Sequence, residues 1–304
     1  MRIASLLPSA TEILCALGLR DDLVAVSHEC DFPADVAGLP RITRSIIPHG
    51  LSPAEIDRRV SEAVRAGSPL YQVDGDMLAA LAPDLIVTQG LCDVCAVNPD
   101  TVHETIRALP EALPGNTRIV SLSGDCWEGV LRDLRLAGEA AGAGDNARRL
   151  SDTLRARWAA AHAPREDGPT VAALEWTDPL FFGGHWVPEQ IEAAGGRDVL
   201  GQPFVKSGRV SLESLFAADP DVVLVMACGF DLDANTAFAE TFARGPGAGL
   251  RAVREGRLWA LDANSHFSRP APRLVDGVEI LRKIFGQEAP SQTAARRVLP
   301  GATL

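Results

Sequence analysis

Short unbroken apolar runs alternate with longer amphipathic stretches along this chain, and the runs are strand-length. Leu85-Ile-Val-Thr88 and Val222-Val-Leu-Val225 each follow a Pro-Asp pair, Pro83-Asp84 and Pro220-Asp221. Each is followed by cysteine: Cys92 and Cys95 after the first run, Cys228 after the second. Runs of this composition predict strands buried on both faces, as in a parallel sheet. Ile3-Ala-Ser-Leu-Leu7, Leu23-Val-Ala-Val26, Arg118-Ile-Val-Ser-Leu122 and Val171 to Leu174 predict further strands. Between them, Ser9-Ala-Thr-Glu12 predicts a capped helix through Leu17, closed by Gly18. Ser52-Pro53-Ala-Glu55 and Asn98-Pro99-Asp100 open two more. Alternating strand and helix predicts an α/β fold.

The pattern repeats. Glu12, Leu14, Ala16, Gly18, Arg20 and Asp21 align at one constant offset with Glu189, Ile191, Ala193, Gly195, Arg197 and Asp198. Leu78, Ala80, Pro83 and Asp84 align at a second offset with Leu215, Ala217, Pro220 and Asp221. Two related Rossmann-like lobes with parallel sheets account for this better than one long sheet. We expect an N-terminal lobe over 1–125, a connecting helical segment over 126–165, a C-terminal lobe over 166–290 and a loosely held tail over 291–304. Asp145 to Ala163 lacks proline and glycine and predicts one backbone helix of about 28 Å at 1.5 Å per residue. Ligands of open α/β sheets lie outside the carboxyl ends of the strands, so a cleft between the lobes is the expected site.

Composition narrows the partners. With 46% apolar and 23% charged residues and a formal net charge of -11, neither nucleic acid nor an anionic membrane surface is an expected partner. No apolar run reaches the roughly 18–20 residues of a membrane helix, so no membrane insertion is expected. Met1-Arg2 leads directly into the first strand, which reads as no signal peptide and a cytoplasmic location. The alternative is a periplasmic or extracellular protein written in its mature form. Six cysteines over 304 residues are too sparse for a disulfide framework, and thiols at strand ends suit a reducing compartment.

The strand ends collect His28, Glu29, Cys30, Cys92, Cys95, His185, Cys228 and His266. Thiolate and imidazole are the donors that zinc, iron–sulfur clusters and cuprous ions take. Cys30, Cys92 and Cys95 with His28 therefore form a candidate metal set, with a redox dithiol or inert packing as alternatives for Cys92 and Cys95. Gln89, Glu175 and Trp176 are further candidate lining residues, and Trp186 and Phe267, with Phe181 and Phe230, could offer flat apolar surface. No nucleophile elbow, P-loop or dinucleotide fingerprint occurs, so a non-enzymatic protein is expected.

Four segments carry a resemblance: Ser27-His-Glu-Cys-Asp-Phe-Pro33, Pro83-Asp-Leu-Ile-Val87, Phe182-Gly-Gly-His-Trp-Val-Pro188 and Ser268-Arg-Pro-Ala-Pro-Arg273. In order and spacing the chain resembles the helical-backbone (class III) solute-binding proteins of ABC importers for cobalamin, haem and iron chelates, nearest the cobalamin-binding subgroup. The resemblance implies binding of cobalamin, another corrinoid or a similar metal chelate between the lobes, for an ABC permease or as a soluble carrier. It also implies that Asp76 and Glu213, on the helices before the Pro-Asp strands, dock on the permease. Two positions depart from that pattern: Glu29 and Gln89 stand where cobalamin binders of this fold carry aromatic rings. The competing expectation is a cytosolic metal or iron–sulfur protein that uses the same fold with a Cys/His-rich cleft.

Overall fold

The computed structural model describes residues 1–48, 50–90, 104, 117–162 and 165–299, and the chain divides into two compact units, Met1–Thr153 and Leu154–Leu304. The first runs β1 (Ile3–Ser5), α1 (Pro8–Ala16), β2 (Leu23–Val26), β3 (Thr43–Ser45), α2 (Pro53–Arg65), β4 (Tyr71–Val73), α3 (Gly75–Leu81), β5 (Leu85–Gln89), β6 (Arg118–Leu122) and α4 (Trp127–Ala140). An 18-residue helix, α5 (Gly144–Ala161), spans the division point. The central sheet is wholly parallel, in the order β2-β1-β5-β6. Every residue of β1 and β5 is buried, which is why these strands are unbroken apolar runs in the sequence.

The second unit runs β7 (Thr170–Thr177), β8 (Leu180–Phe182), α6 (Val187–Ala193), β9 (Arg197–Asp198), β10 (Gly208–Arg209), α7 (Leu212–Ala218), β11 (Val222–Val225), α8 (Leu232–Arg244), α9 (Arg251–Arg254), β12 (Leu258–Leu261), α10 (Ala263–His266), α11 (Leu274–Phe285) and β13 (Ala295–Val298). Its sheet has the order β10-β8-β7-β11-β12-β13, with β9 pairing on β7. The parallel part, β9-β7-β11-β12, reproduces β2-β1-β5-β6 of the first unit. To it are added the antiparallel strands β8, β10 and β13.

Hydrogen bonds show the repeat at atomic detail. Asp84 N–H donates to the Arg2 carbonyl at 2.8 Å, and the Asp84 carboxylate accepts from Arg2 N–H at 2.8 Å. Asp221 N–H donates to the Thr170 carbonyl at 2.8 Å, and its carboxylate accepts from Thr170 N–H at 2.9 Å. Each aspartate thus locks the start of its strand to the start of the neighbouring strand. Ala82 (φ 42°) and Asp219 (φ 37°) end α3 and α7 in the same left-handed turn before the Pro-Asp pair. Gly18 (φ 83°) and Gly195 (φ 88°) close α1 and α6, a backbone that only glycine adopts without strain.

Two expectations are corrected. Ser9 does not cap α1: Pro8 takes the first helical position, Leu7 flanks it, and Ser9 is buried inside the first turn. The tail after Pro290 is ordered as far as β13, which pairs antiparallel with β12 from Ala295 to Val298. Ser52 caps α2 as expected, in a capping box with Glu55.

Candidate functional site

In the second unit, β7 continues past its pairing with β11 and carries Glu175 and Trp176 beyond the ends of the parallel core. Trp176 is half-buried, with its ring centroid 5.7 Å from that of Phe230, and Phe230 meets Phe238 edge-on at 5.0 Å. Cys228 N–H donates to the Glu175 carbonyl at 3.2 Å, which holds the loop after β11 against β7. The Glu175 carboxylate accepts from Gly184 N–H at 3.2 Å. That bond brings the Gly183-Gly184-His185 turn to the same place. His185 is half-buried, at φ 55°, and stacks on Trp186 at 5.5 Å.

Trp186 and Phe267, expected as ligand contacts, are both placed in the core of this unit. Trp186 is 4% exposed, and its indole N–H donates to the Phe267 carbonyl at 2.6 Å. Phe267 is buried beside it. Neighbouring His266 is half-buried, its Nδ1 lacks a hydrogen-bond partner among the described residues, and burial pushes its pKa below the ordinary imidazole value. A desolvated imidazole resists taking a proton.

In the first unit, the turn after β2 holds His28. Its Nδ1 lies 2.7 Å from Thr43 Oγ1, and its ring centroid is 5.7 Å from that of Tyr71. Glu29 is exposed, with a carboxylate oxygen 3.9 Å from His28 Nε2. The Arg41 guanidinium secures this turn by donating to the Ser27 and Cys30 carbonyls. Gln89 is buried at the end of β5. Tyr71, the one tyrosine of the chain, was missed in the sequence because it stands in a three-residue strand, β4, too short to show periodicity. Phe32, after the His28 turn, is 44% exposed.

Of the candidate metal set, only His28 and Cys30 lie among the described residues. Cys30 is 1% exposed, and its sulfur lies 3.0 Å from Thr11 Oγ1 of α1, so the thiol faces the core beneath that helix. Cys92 and Cys95 lie outside the described residues. Among the described residues no group of three or more His, Cys, Asp or Glu side chains is placed to hold a metal ion. The expected docking acids are both exposed, each in the first turn of its helix: Asp76 on α3 and Glu213 on α7. Glu213's own backbone N–H and the Ser211 side chain hold its carboxyl below the usual range.

A family model described as periplasmic binding protein matches residues 3–265. The chain belongs to that family. This periplasmic binding protein is 27% identical over 286 residues to the vitamin B12-binding protein of Vibrio cholerae, a match covering 91% of this chain and 86% of that one. Its fold is that of the periplasmic heme-binding protein RhuT from Roseiflexus sp. RS-1, with a TM-score of 0.70, 24% identity, and 94% and 98% of the two chains covered. The periplasmic vitamin B12-binding protein BtuF of Vibrio cholerae is similar too, with a TM-score of 0.61, 23% identity, and 94% and 96% covered.

These likenesses correct two expectations. The cytoplasmic location does not stand, since both the family and the similar structures are described as periplasmic. The cytosolic metal or iron–sulfur reading finds no support among these relatives either. No described helix is long and apolar enough to cross a membrane.

Proposed function

We propose that this periplasmic binding protein captures a corrinoid or a similar metal chelate such as haem and delivers it to an ABC permease, without catalysing a reaction on it. The observation that carries the reading is the Trp176–Phe230 pair beyond the ends of β7 and β11, beside Glu175 and the His185 turn. A flat macrocycle needs broad aromatic contact with a few polar groups to orient it. The His28–Tyr71 pair of the first unit is material of the same kind. The names of the relatives, vitamin B12-binding and heme-binding, support the same ligand class.

Glu29 beside His28 and Cys228 bonded to Glu175 are polar candidates at these rings, and Gln89 at the end of β5 is a third candidate. Asp76 and Glu213 are our docking residues, because both are exposed at equivalent turns of the repeated helix. The test is equilibrium titration of the purified protein with cyanocobalamin, haemin and a ferric hydroxamate. We expect saturable one-to-one binding of a macrocycle at micromolar concentration or below. Binding of none of the three contradicts the reading. Replacing Asp76 and Glu213 with alanine should leave that affinity unchanged and abolish ligand uptake through the permease. Uptake that survives the double replacement removes the docking assignment.

A further inference from the structure

Phe204 is the most exposed large apolar side chain among the described residues, at 64%, and Val205 beside it is 44% exposed. Exposure of a ring on a slack loop would carry little information. This ring is on a loop held from several sides. Asp198 accepts from Leu200 N–H at 2.9 Å and Gly201 N–H at 2.8 Å. Ser207 Oγ donates to the Phe182 carbonyl at 2.9 Å. Gly184 packs against the backbone of Val205, Lys206 and Ser207 so closely that a Cβ there would collide with it.

The held segment is also strained. Phe204 has φ 66°, and His185 has φ 55°. The two are bonded to each other's strand of chain: His185 N–H donates to the Val205 carbonyl at 2.7 Å, and Phe204 N–H to the His185 carbonyl at 3.4 Å. A bulky residue in the left-handed region is rare and costs free energy. Such residues persist where the surroundings over-determine them, and they gather at ligand clamps. A hydrophobic ring held in water by a strained backbone is costly twice over unless something covers it.

We propose that Phe204 is a ligand-contacting ring, held rigidly beside His185, and that it selects for ligands with a broad apolar face over compact hydrophilic iron chelates. The inference rests on the chelate-binding reading above. The loop is continuous with that site through Gly184, whose N–H meets Glu175, and through His185.

The experiment compares wild type with Phe204→Ala, Phe204→Tyr and Phe204→Gly by titration with cyanocobalamin, haemin and a ferric hydroxamate, alongside thermal unfolding. Loss of a packed interface ring weakens binding by about tenfold to a hundredfold. Phe204→Ala should weaken macrocycle binding by that factor and hydroxamate binding by less. Phe204→Tyr should retain wild-type affinity. Phe204→Gly should lose affinity while melting no lower than wild type, since glycine accepts the positive φ. Unchanged macrocycle affinity in a folded Phe204→Ala protein overturns the inference alone. So does unchanged affinity with impaired uptake, which would make the ring a permease contact. If wild type itself binds none of the three, the parent reading and this inference fall together.

Discussion

Trp186 shows why a residue's type does not reveal its task. In the sequence it is an aromatic ring after a Gly-Gly turn, equally suited to a ligand or a core. The deciding fact is the partner of its indole N–H, the Phe267 carbonyl, which lies far away in sequence. A buried tryptophan needs such a partner. Trp186→Phe should therefore cost about 1–3 kcal/mol of stability by denaturant unfolding, the usual penalty for stranding a buried acceptor. Macrocycle affinity should change less than about twofold, well short of a hot-spot loss. A large loss of affinity without loss of stability would return Trp186 to the ligand face.

His266 gives a pH prediction. Burial lowers its folded-state pKa, against the raising influence of Asp262 and Asp276. Below 6.5 the unfolded chain then binds more protons than the native one. This contribution to stability is full above pH 6.5 and is lost as pH falls through the lowered native value. His266→Gln should flatten the fall in melting temperature between about pH 7 and pH 5, the span of histidine titration. An undiminished fall would place the effect elsewhere.

At the scale of elements, what was legible followed from burial. β5 and β11 are buried along their whole length, so they appear in the sequence as unbroken apolar runs. β8 and β10 have three residues and two, and in β13 only Ala295 and Val298 are buried. These short antiparallel strands are held by backbone pairing, which leaves little mark on side-chain pattern. The repeat was legible because Pro-Asp does a specific job in both units. Thr170 N–H, with Arg251, holds the Asp221 carboxyl below its ordinary value of 3.8. That stabilisation is present above pH 3.8 and is lost as pH falls through the lowered native value. Asp221→Asn should lower the melting temperature at neutral pH, and the gap to wild type should close as pH falls below 3.8 and through the lowered native value. A gap independent of pH would mean that the carboxylate charge plays no part.

For the whole molecule, the α/β plan and the binding-protein family were readable, and the compartment was not. In the sequence, thiols at strand ends suggest a reducing compartment. Cys30 and Cys126 prove to be buried, Cys126 caps α4 through its sulfur, and burial pushes the Cys15 thiol up to about 11. Inert, packed thiols carry no information about redox compartment. The central claim is that a chelate lies on the Trp176–Phe230 surface. Trp176 is one of five tryptophans, and a corrin or porphyrin stacked on it will quench its emission. The most direct measurement is fluorescence titration of wild type and Trp176→Phe with cyanocobalamin and haemin. The account predicts saturable quenching of wild type by at least one of them, with most of that quenching gone in Trp176→Phe. Saturable quenching of equal depth in both proteins would contradict it.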